Sequence, residues 1–171
     1  MSDVIARAYP RVSFEAPIQY GVSNAGTCLQ LHAARTLNYS AGGFCYETDE
    51  QLPPEAEVCI IMSNYTPGQN GPESFRSYLT RLRWMQPLPV TQEKRYAAGA
   101  QIIARSHDVL DICAEEPRHD CDLCGALTAL PRLQKIAGDA QLCGSCFRHF
   151  QSFPQGKGRQ CLERFLMGNV V

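Results

Sequence analysis

RVSFEAPIQY, residues 11–20, alternates apolar side chains with mostly polar ones. The apolar residues occupy every second position and are Val12, Phe14, Ala16, Ile18 and Tyr20. Successive side chains of a β-strand point to opposite faces, so this period indicates one buried face and one solvent face. The run therefore predicts a single half-buried strand that begins at Arg11.

More segments with the composition of strands follow at short intervals. Each is bounded by Gly, Pro, Asn or charged residues, which are typical of turns. These segments are 27–37, 44–48, 57–63, 78–85 and 96–103. Six short strands over roughly ninety residues predict an antiparallel barrel or sandwich.

The segment YLTRLRWM, residues 78–85, also alternates. Its even-numbered residues as far as Trp84 would share one face of the strand. Arg81 and Arg83 would then point the other way, and we interpret them as solvated charges.

A helix is expected directly after the last strand. Ser106 can cap its N-terminus, and apolar residues recur at helical spacing from Val109 to Cys113. Pro117 cannot continue a helix. We therefore expect a helix over about 107–116, followed by a short linker.

Two short motifs lie at the start of the first predicted strand and at the end of the second. The first is RAYPR, with Arg7 and Arg11, and the second is NYSAGG, with Asn38, Ser40 and Gly43. Guanidinium groups donate forked hydrogen bonds to phosphate oxygens and to the O6/N7 edge of guanine, and they stack on purines. The amide and the hydroxyl can bind a base edge, and the glycines allow close backbone approach and positive φ. Together the motifs predict a site for a guanine nucleotide that carries phosphates.

These motifs resemble those of the PilZ family of bacterial cyclic di-GMP receptors. Arg7 and Arg11 match its RxxxR motif, and Asn38, Ser40 and Gly43 match its second motif, D/N-x-S-x-x-G, in the family's order. The resemblance covers roughly residues 5–105, the usual size of one small domain. It implies a six-stranded antiparallel PilZ-like β-barrel that binds cyclic di-GMP through these five residues.

Four cysteines in the last third of the chain have the spacing of a zinc site. Cys121 and Cys124 form one CxxC pair, Cys143 and Cys146 form a second, and eighteen residues separate the pairs. This spacing fits a tetrahedral Zn²⁺ ion held by four thiolates, which leaves no open position, so the zinc would be structural. A unit of about fifty residues is near the lower limit for independent stability, and metal binding would help to order it.

The residues around these cysteines predict a small α+β module. FRHFQSF, residues 147–153, and QCLERFLM, residues 160–167, each predict a short helix. The second helix has an apolar face, which either covers the zinc module or docks a partner protein. We expect neither His119 nor His149 to replace a cysteine as a zinc ligand.

The chain thus divides into four predicted parts. They are a flexible N-terminal ligand-binding segment (1–10), the barrel (11–105), a helix and linker (106–120), and the four-cysteine zinc-binding module with its C-terminal helix (121–171).

Composition indicates a globular protein of the cytoplasm. Of its 171 residues 44% are hydrophobic and 19% charged, and no run approaches the ~20 apolar residues that cross a bilayer. The first ten residues lack the apolar core of a signal peptide. In a reducing compartment the nine cysteines are better explained by metal binding than by disulfides, and we expect Cys28, Cys45, Cys59 and Cys113 to be free thiols packed in apolar surroundings.

The function expected from the resemblance is that of a cyclic di-GMP effector. Ligand binding would alter an interaction with an unidentified protein, and the family resemblance implies roles in motility, biofilm formation or virulence. The alternative is a ligand-independent adaptor or a nucleic-acid-binding zinc ribbon. Six Lys/Arg against three Asp/Glu in residues 121–171 make too mild a basic balance for nucleic acid. The four histidines fall in no catalytic pattern, so we expect no enzyme activity and no catalytic residue.

Overall fold

The computed structural model describes residues 9–24, 27–28, 30–66, 74–89, 95–109, 116–136, 139–166 and 168, without the side chains of residues 24, 27 and 28. The described residues are mainly β-structure, with short helices near the C-terminus. The predicted fold class is therefore confirmed. None of the helices described is long and apolar enough to span a bilayer.

Eight antiparallel strands form the larger sheet. They are β1 (Val12–Ser13), β2 (Pro17–Asn24), β3 (Thr27–Cys28), β4 (His32–Ser40), β5 (Gly43–Thr48), β6 (Glu57–Met62), β7 (Ser77–Pro87) and β8 (Tyr96–Ser106). Their order is β1-β4-β5-β8-β7-β6-β2-β3, and a further pairing joins β4 to β2. That pairing closes six strands into a ring, with β1 and β3 outside it. The predicted six-stranded antiparallel barrel is confirmed.

Residues 11–20 form two strands rather than the single strand expected. Regular strand pairing is interrupted over residues 14–16, where two backbone bonds to β4 remain and the buried Thr36 side chain adds others. Its hydroxyl donates to the Phe14 carbonyl at 2.7 Å and accepts from the Ala16 amide at 2.9 Å. The period of two nevertheless survives, since the buried residues here are Phe14, Ala16, Ile18 and Tyr20.

The barrel interior is filled by large side chains. The buried ones include Ile18, Tyr20, Phe44, Tyr46, Val58, Ile60, Met62, Tyr78 and Leu82. Burial of each large apolar side chain stabilises the fold by about 1.5–3 kcal/mol. Because side chains fill a barrel of this size, a ligand site has to lie on its outer surface or at a rim.

The C-terminal module is small and built from short elements. They are β9 (Arg118–Asp120), β10 (Leu127–Ala129), a 3-10 turn (Leu130–Arg132), β11 (Gln134–Lys135), β12 (Gln141–Leu142), α1 (Gly144–Ser152) and α2 (Lys157–Leu166). β9 pairs with β10 and β11 with β12, both antiparallel. Leu162 and Leu166 of α2 pack against the module's own core, while Phe165 remains exposed. The apolar face of α2 therefore covers the module.

Both predicted C-terminal helices are present, and each begins three residues earlier than expected. For α1 the reason is its cap, because the Cys143 sulfur accepts a hydrogen bond from the Cys146 amide. The helix expected over 107–116 falls largely on residues 110–115, which lie outside the described residues.

One expectation for the cysteines is wrong. Cys59 on β6 is buried and disulfide-bonded rather than a free thiol. Cys45 is buried and free, as expected, and Cys161 is exposed and free. Cys113 and the Cys28 side chain lie outside the described residues. The cytoplasmic location stays a prediction.

Candidate functional site

A cavity of about 320 Å³ opens on the outside of the barrel beside the NYSAGG turn. Arg11, Asn38, Ser40 and Gly43 all line it. These are four of the five ligand residues predicted from the motifs. The fifth, Arg7, lies outside the described residues. The remaining lining residues are Tyr9, Gly42, Phe44, Arg83, Trp84, Gly99, Ala100 and Gln101.

Strand register brings the two motifs together. Val12 pairs with Tyr39, which sets the preceding Arg11 beside the end of β4. β4 and β5 form a hairpin in which Ser40 pairs with Gly43. The pairing of Gly43 with Gln101 then adds the middle of β8 to the same surface. Residues far apart in sequence thus converge because β4 pairs on both sides.

Gly43 is required for close packing of two strands. A Cβ atom at this position would lie 2.2 Å from the Ala100 carbonyl oxygen, far inside van der Waals contact. Positive φ, which was also expected for the glycines of this turn, is found at neither Gly42 nor Gly43. A Cβ on Gly42 would lie 2.9 Å from the Tyr9 ring, so the turn and the N-terminal segment touch here.

Trp84 belongs to this cavity, although its sequence pattern predicts that it shares a face with Leu82. The β7–β8 pairing shifts register between Leu82 and Trp84, which marks a bulge at Arg83. A one-residue shift moves the following side chains to the other face of the sheet. Leu82 is consequently buried, whereas Trp84 is 37% exposed. The indole lies on the outside of the barrel, over Gly99.

Arg83 is held in place at the cavity wall. Its Nε and Nη2 atoms donate to Gln101 Oε1 at 2.8 and 2.6 Å, and Nη1 donates to Glu55 at 2.8 Å. Arg83 is exposed, as expected for a solvated charge, and these hydrogen bonds also hold it at the cavity wall. Arg81, in contrast, pairs with Glu57 at 3.0 Å and does not line the cavity.

Among the described residues, Arg11 supplies the unpaired positive charge of the cavity, because Arg83 is paired with Glu55 at 2.8 Å. Two of its lining residues are arginines, and none is Asp or Glu. Arg11 is exposed and makes no ion pair within the described part of the chain. Arg11 and Asn38 also act on one buried neighbour: burial raises the pKa of Cys45, while the Arg11 charge and a hydrogen bond with Asn38 lower it. Both residues thus line the cavity and act on Cys45.

The four predicted zinc ligands also meet. The sulfur atoms of Cys121, Cys124, Cys143 and Cys146 all lie within 4.8 Å of one another. Gly125, at φ 67°, shapes the first knuckle, in which its amide donates to the Cys121 carbonyl at 2.8 Å. The second knuckle is the capped start of α1.

This donor set fits a soft, tetrahedral metal ion. Four thiols are the usual ligands of structural Zn²⁺ and are a poor site for Mg²⁺ or Ca²⁺, which prefer oxygen. Hydrogen bonds with Cys124 and Cys143 lower the pKa of Cys121. Hydrogen bonds with Cys121 and Cys143 raise the pKa of Cys124. His119 and His149 are not members of the cluster found among the described residues.

His107 approaches the cluster from the barrel side. Its Nε2 atom lies 3.7 Å from Cys124 Sγ, within hydrogen-bond range for sulfur. The sequence pattern did not single out this residue, because it follows the last strand and lies seventeen positions before Cys124.

Comparison with known proteins gives no match, either to a family model or to a curated protein. A barrel by itself does not identify a family, because one fold hosts many functions. Membership of the PilZ family therefore stays a prediction that rests on the two motifs.

Proposed function

We propose that this protein is a cyclic di-GMP receptor and that the cavity beside the NYSAGG turn holds the ligand. One observation carries the proposal. Arg11 and the Asn38, Ser40 and Gly43 set, separated by almost thirty residues in sequence, line a single cavity without a carboxylate.

The chemistry of the lining suits a guanine nucleotide. The Arg11 guanidinium would donate to a phosphate or to the O6/N7 edge of guanine. Asn38 and Ser40 would bind a base edge through their amide and hydroxyl groups. The exposed indole of Trp84 offers a flat surface for a purine, and stacking of this kind contributes about 1–3 kcal/mol per base.

The size of the cavity supports a ligand that is only partly enclosed. Its volume of about 320 Å³ is near the lower limit for small-molecule sites, so a dinucleotide would fill it and extend beyond it. Tyr9 lies at the cavity, and Arg7 precedes it by two residues in sequence. In this proposal Arg7 would add a second guanidinium.

We also propose that the four cysteines bind one Zn²⁺ ion with a structural role. The four sulfur atoms would occupy all four coordination positions of the ion, so none would be open for substrate or water. Its chemistry would be confined to holding β10, β12 and α1 together around the two knuckles. The output of the receptor would be an altered interaction with another protein rather than catalysis.

Isothermal titration calorimetry tests the ligand site. We expect Arg11→Ala to weaken cyclic di-GMP binding by about 10- to 100-fold, since a charge-assisted hydrogen bond contributes about 1.5–3 kcal/mol. Ser40→Ala and Asn38→Ala should each weaken it by up to about tenfold. Arg81→Ala removes an arginine from the same barrel but outside the cavity, and it should bind like the wild type.

Two results would contradict the proposal. The first is an absence of binding by the zinc-loaded wild type at micromolar ligand. The second is an equal loss of affinity in Arg11→Ala and Arg81→Ala, which would locate the ligand elsewhere or make its attraction non-specific. The first result would favour a ligand-independent adaptor.

A further inference from the structure

β8 connects the ligand cavity to the four-cysteine cluster. Gly99, Ala100 and Gln101 in its middle line the cavity. The strand ends at Ser106, and the next residue is His107, with Nε2 at 3.7 Å from Cys124 Sγ. One continuous strand therefore has the cavity in its middle, and the residue just beyond its end contacts one of the four cysteines.

Side chains make a second connection between the same two places. Arg105 donates a hydrogen bond to the carbonyl of Ala41, in the NYSAGG turn. Its guanidinium carbon lies 5.7 Å from the centre of the Phe75 ring. Phe75 in turn stacks on His107, with ring centroids 4.6 Å apart and planes inclined by 26°. The turn, Arg105, Phe75, His107 and Cys124 thus form an unbroken series of contacts.

Phe75 is the residue shared by the two halves of the molecule. It packs against the barrel core and also against the core of the four-cysteine module. It is held from the cavity side as well, because Phe44 in the cavity wall packs edge-on against Tyr78 at 4.7 Å. The Tyr78 hydroxyl donates to the Phe75 carbonyl at 3.1 Å. A shift of Phe75 would therefore change the packing at both sites.

We propose that metal binding at the four cysteines and ligand binding in the cavity are energetically coupled through Arg105, Phe75 and His107. The identity of the ligand rests on the proposed function, whereas the coupling does not. In this role His107 is a positioning residue: an N–H donated to the Cys124 sulfur orients that ligand, as outer groups commonly do at metal sites.

The direction of the coupling follows from preorganisation. A metal ion fixes Cys124 and hence the orientation of the His107 ring, and the stacked Phe75 and Arg105 then hold the NYSAGG turn. A turn that is already ordered loses less entropy when a ligand binds. Zinc should therefore strengthen ligand binding, and by thermodynamic linkage the ligand should strengthen zinc binding by the same factor.

The first test needs no nucleotide. Trp84 is the only tryptophan in the chain and lines the cavity and a neighbouring pocket on β7, so its emission reports on this part of the barrel. Full-length protein is stripped of metal with a chelator and titrated with Zn²⁺, while Co²⁺ absorption confirms thiolate ligation in each variant. We expect zinc to change the emission of the wild type, and this change to be lost in His107→Ala and in Phe75→Leu.

His149→Ala is the matched control for His107→Ala. His149 lies on α1 in the same module, but its ring packs edge-on against Phe153 and it is not a member of the cysteine cluster. The control should keep the wild-type change in emission. An unchanged emission in the wild type, or a change that persists in both His107→Ala and Phe75→Leu, would overturn the coupling. The leucine variant keeps the apolar contact, so it decides the question if His107→Ala does not fold.

The second test measures the coupling itself. Cyclic di-GMP is titrated into zinc-loaded and zinc-free protein. We expect the zinc-loaded protein to bind it at least about fivefold more tightly, which is the lower end of typical coupling. The ratio should fall toward one in His107→Ala. An equal affinity in both wild-type forms would overturn the coupling. If neither form binds cyclic di-GMP, the proposed function fails, and the Trp84 emission still decides the coupling.

Discussion

Trp84 lies so close to Gly99 that no other residue fits opposite it: a Cβ atom on Gly99 would be 2.1 Å from both Cε2 and Nε1 of the indole. The two residues are partners in the β7–β8 ladder, just after the bulge at Arg83. The indole therefore packs directly on Gly99, and the bulge places the indole on the outer face of the barrel, at the cavity. An aromatic surface at the ligand site is the result.

Gly99→Ala should disturb this arrangement. The added methyl group has to displace the indole, and overpacking of this kind destabilises by about 1–3 kcal/mol. We expect a lower free energy of unfolding in urea, a shifted Trp84 emission and weaker cyclic di-GMP binding. Gly158→Ala is the control, because nothing lies within 4 Å of a Cβ there. In α2 this control should be neutral or stabilising by up to about 1 kcal/mol. Equal stability of the two variants would contradict the close packing.

Thr36→Val tests the break between β1 and β2. The substitution keeps the shape but leaves the Phe14 carbonyl and the Ala16 amide without the bonds that the buried hydroxyl makes. Each unsatisfied buried group costs about 1–3 kcal/mol. Thr80→Val removes one such bond, from the Thr80 hydroxyl to the Val58 carbonyl, and is the comparison. Urea unfolding should show the larger loss in Thr36→Val, and a loss no greater than that of Thr80→Val would refute the bridging role.

Tyr46→Phe should stabilise the protein. The Tyr46 hydroxyl is buried and has no hydrogen-bond partner among the described residues, so its removal should raise the free energy of unfolding by about 1 kcal/mol. Tyr20→Phe is the opposite case, because the Tyr20 hydroxyl lies 2.6 Å from the Thr48 hydroxyl. Its removal should lower the free energy of unfolding by about 1 kcal/mol. Thermal unfolding that moves in the same direction for both variants would contradict this account.

The same hydroxyl makes a prediction at high pH. Burial is the largest cause that raises the pKa of Tyr46 above its ordinary value of 10.0. The folded state therefore disfavours the ionised phenol, and stability that is present below pH 10 is lost as the pH rises above it. Tyr46→Phe should reduce this alkaline loss. An identical fall in the melting temperature of wild type and variant between neutral pH and about pH 11 would argue against it.

Metal analysis checks the cysteine cluster. We expect one zinc per chain in the purified protein and its loss in Cys121→Ser, with a lower melting temperature of the C-terminal module, because metal-binding energy contributes to the folding of small modules. His119→Ala and His149→Ala should keep their zinc. Loss of zinc from either histidine variant would contradict a site made of four thiolates.

The sequence predicts much of this molecule because its strongest signals are local. Alternation of apolar residues predicts the strands, and CxxC spacing predicts the cluster of four sulfurs. Four motif residues line one cavity, as expected. These features depend on short-range periodicity and on ligand spacing, which the printed sequence displays directly.

The rest depends on partners that are distant in the chain. The bulge at Arg83 reverses the expected face of Trp84, and a period of two carries no sign of it. The break after β1 is bridged by Thr36, on another strand, whose hydroxyl bonds to Phe14 and Ala16. The contact of His107 with Cys124 joins the barrel to the module and follows from tertiary packing alone. The Gly99 in AAGA is the one local sign, since a glycine inside a strand indicates close approach of another group.

The most direct test of the central claim is calorimetric titration of the zinc-loaded wild type with cyclic di-GMP, beside GTP and cyclic di-AMP. We predict saturable binding of cyclic di-GMP at micromolar concentration or below, and binding of GTP and cyclic di-AMP that is at least about tenfold weaker. Cyclic di-AMP should bind more weakly because the cavity offers arginine to the O6/N7 edge of guanine, and adenine lacks O6. GTP should bind more weakly because it presents one guanine where cyclic di-GMP presents two. No measurable binding of cyclic di-GMP, or equal affinity for cyclic di-AMP, would contradict the assignment of this cavity as a cyclic di-GMP site.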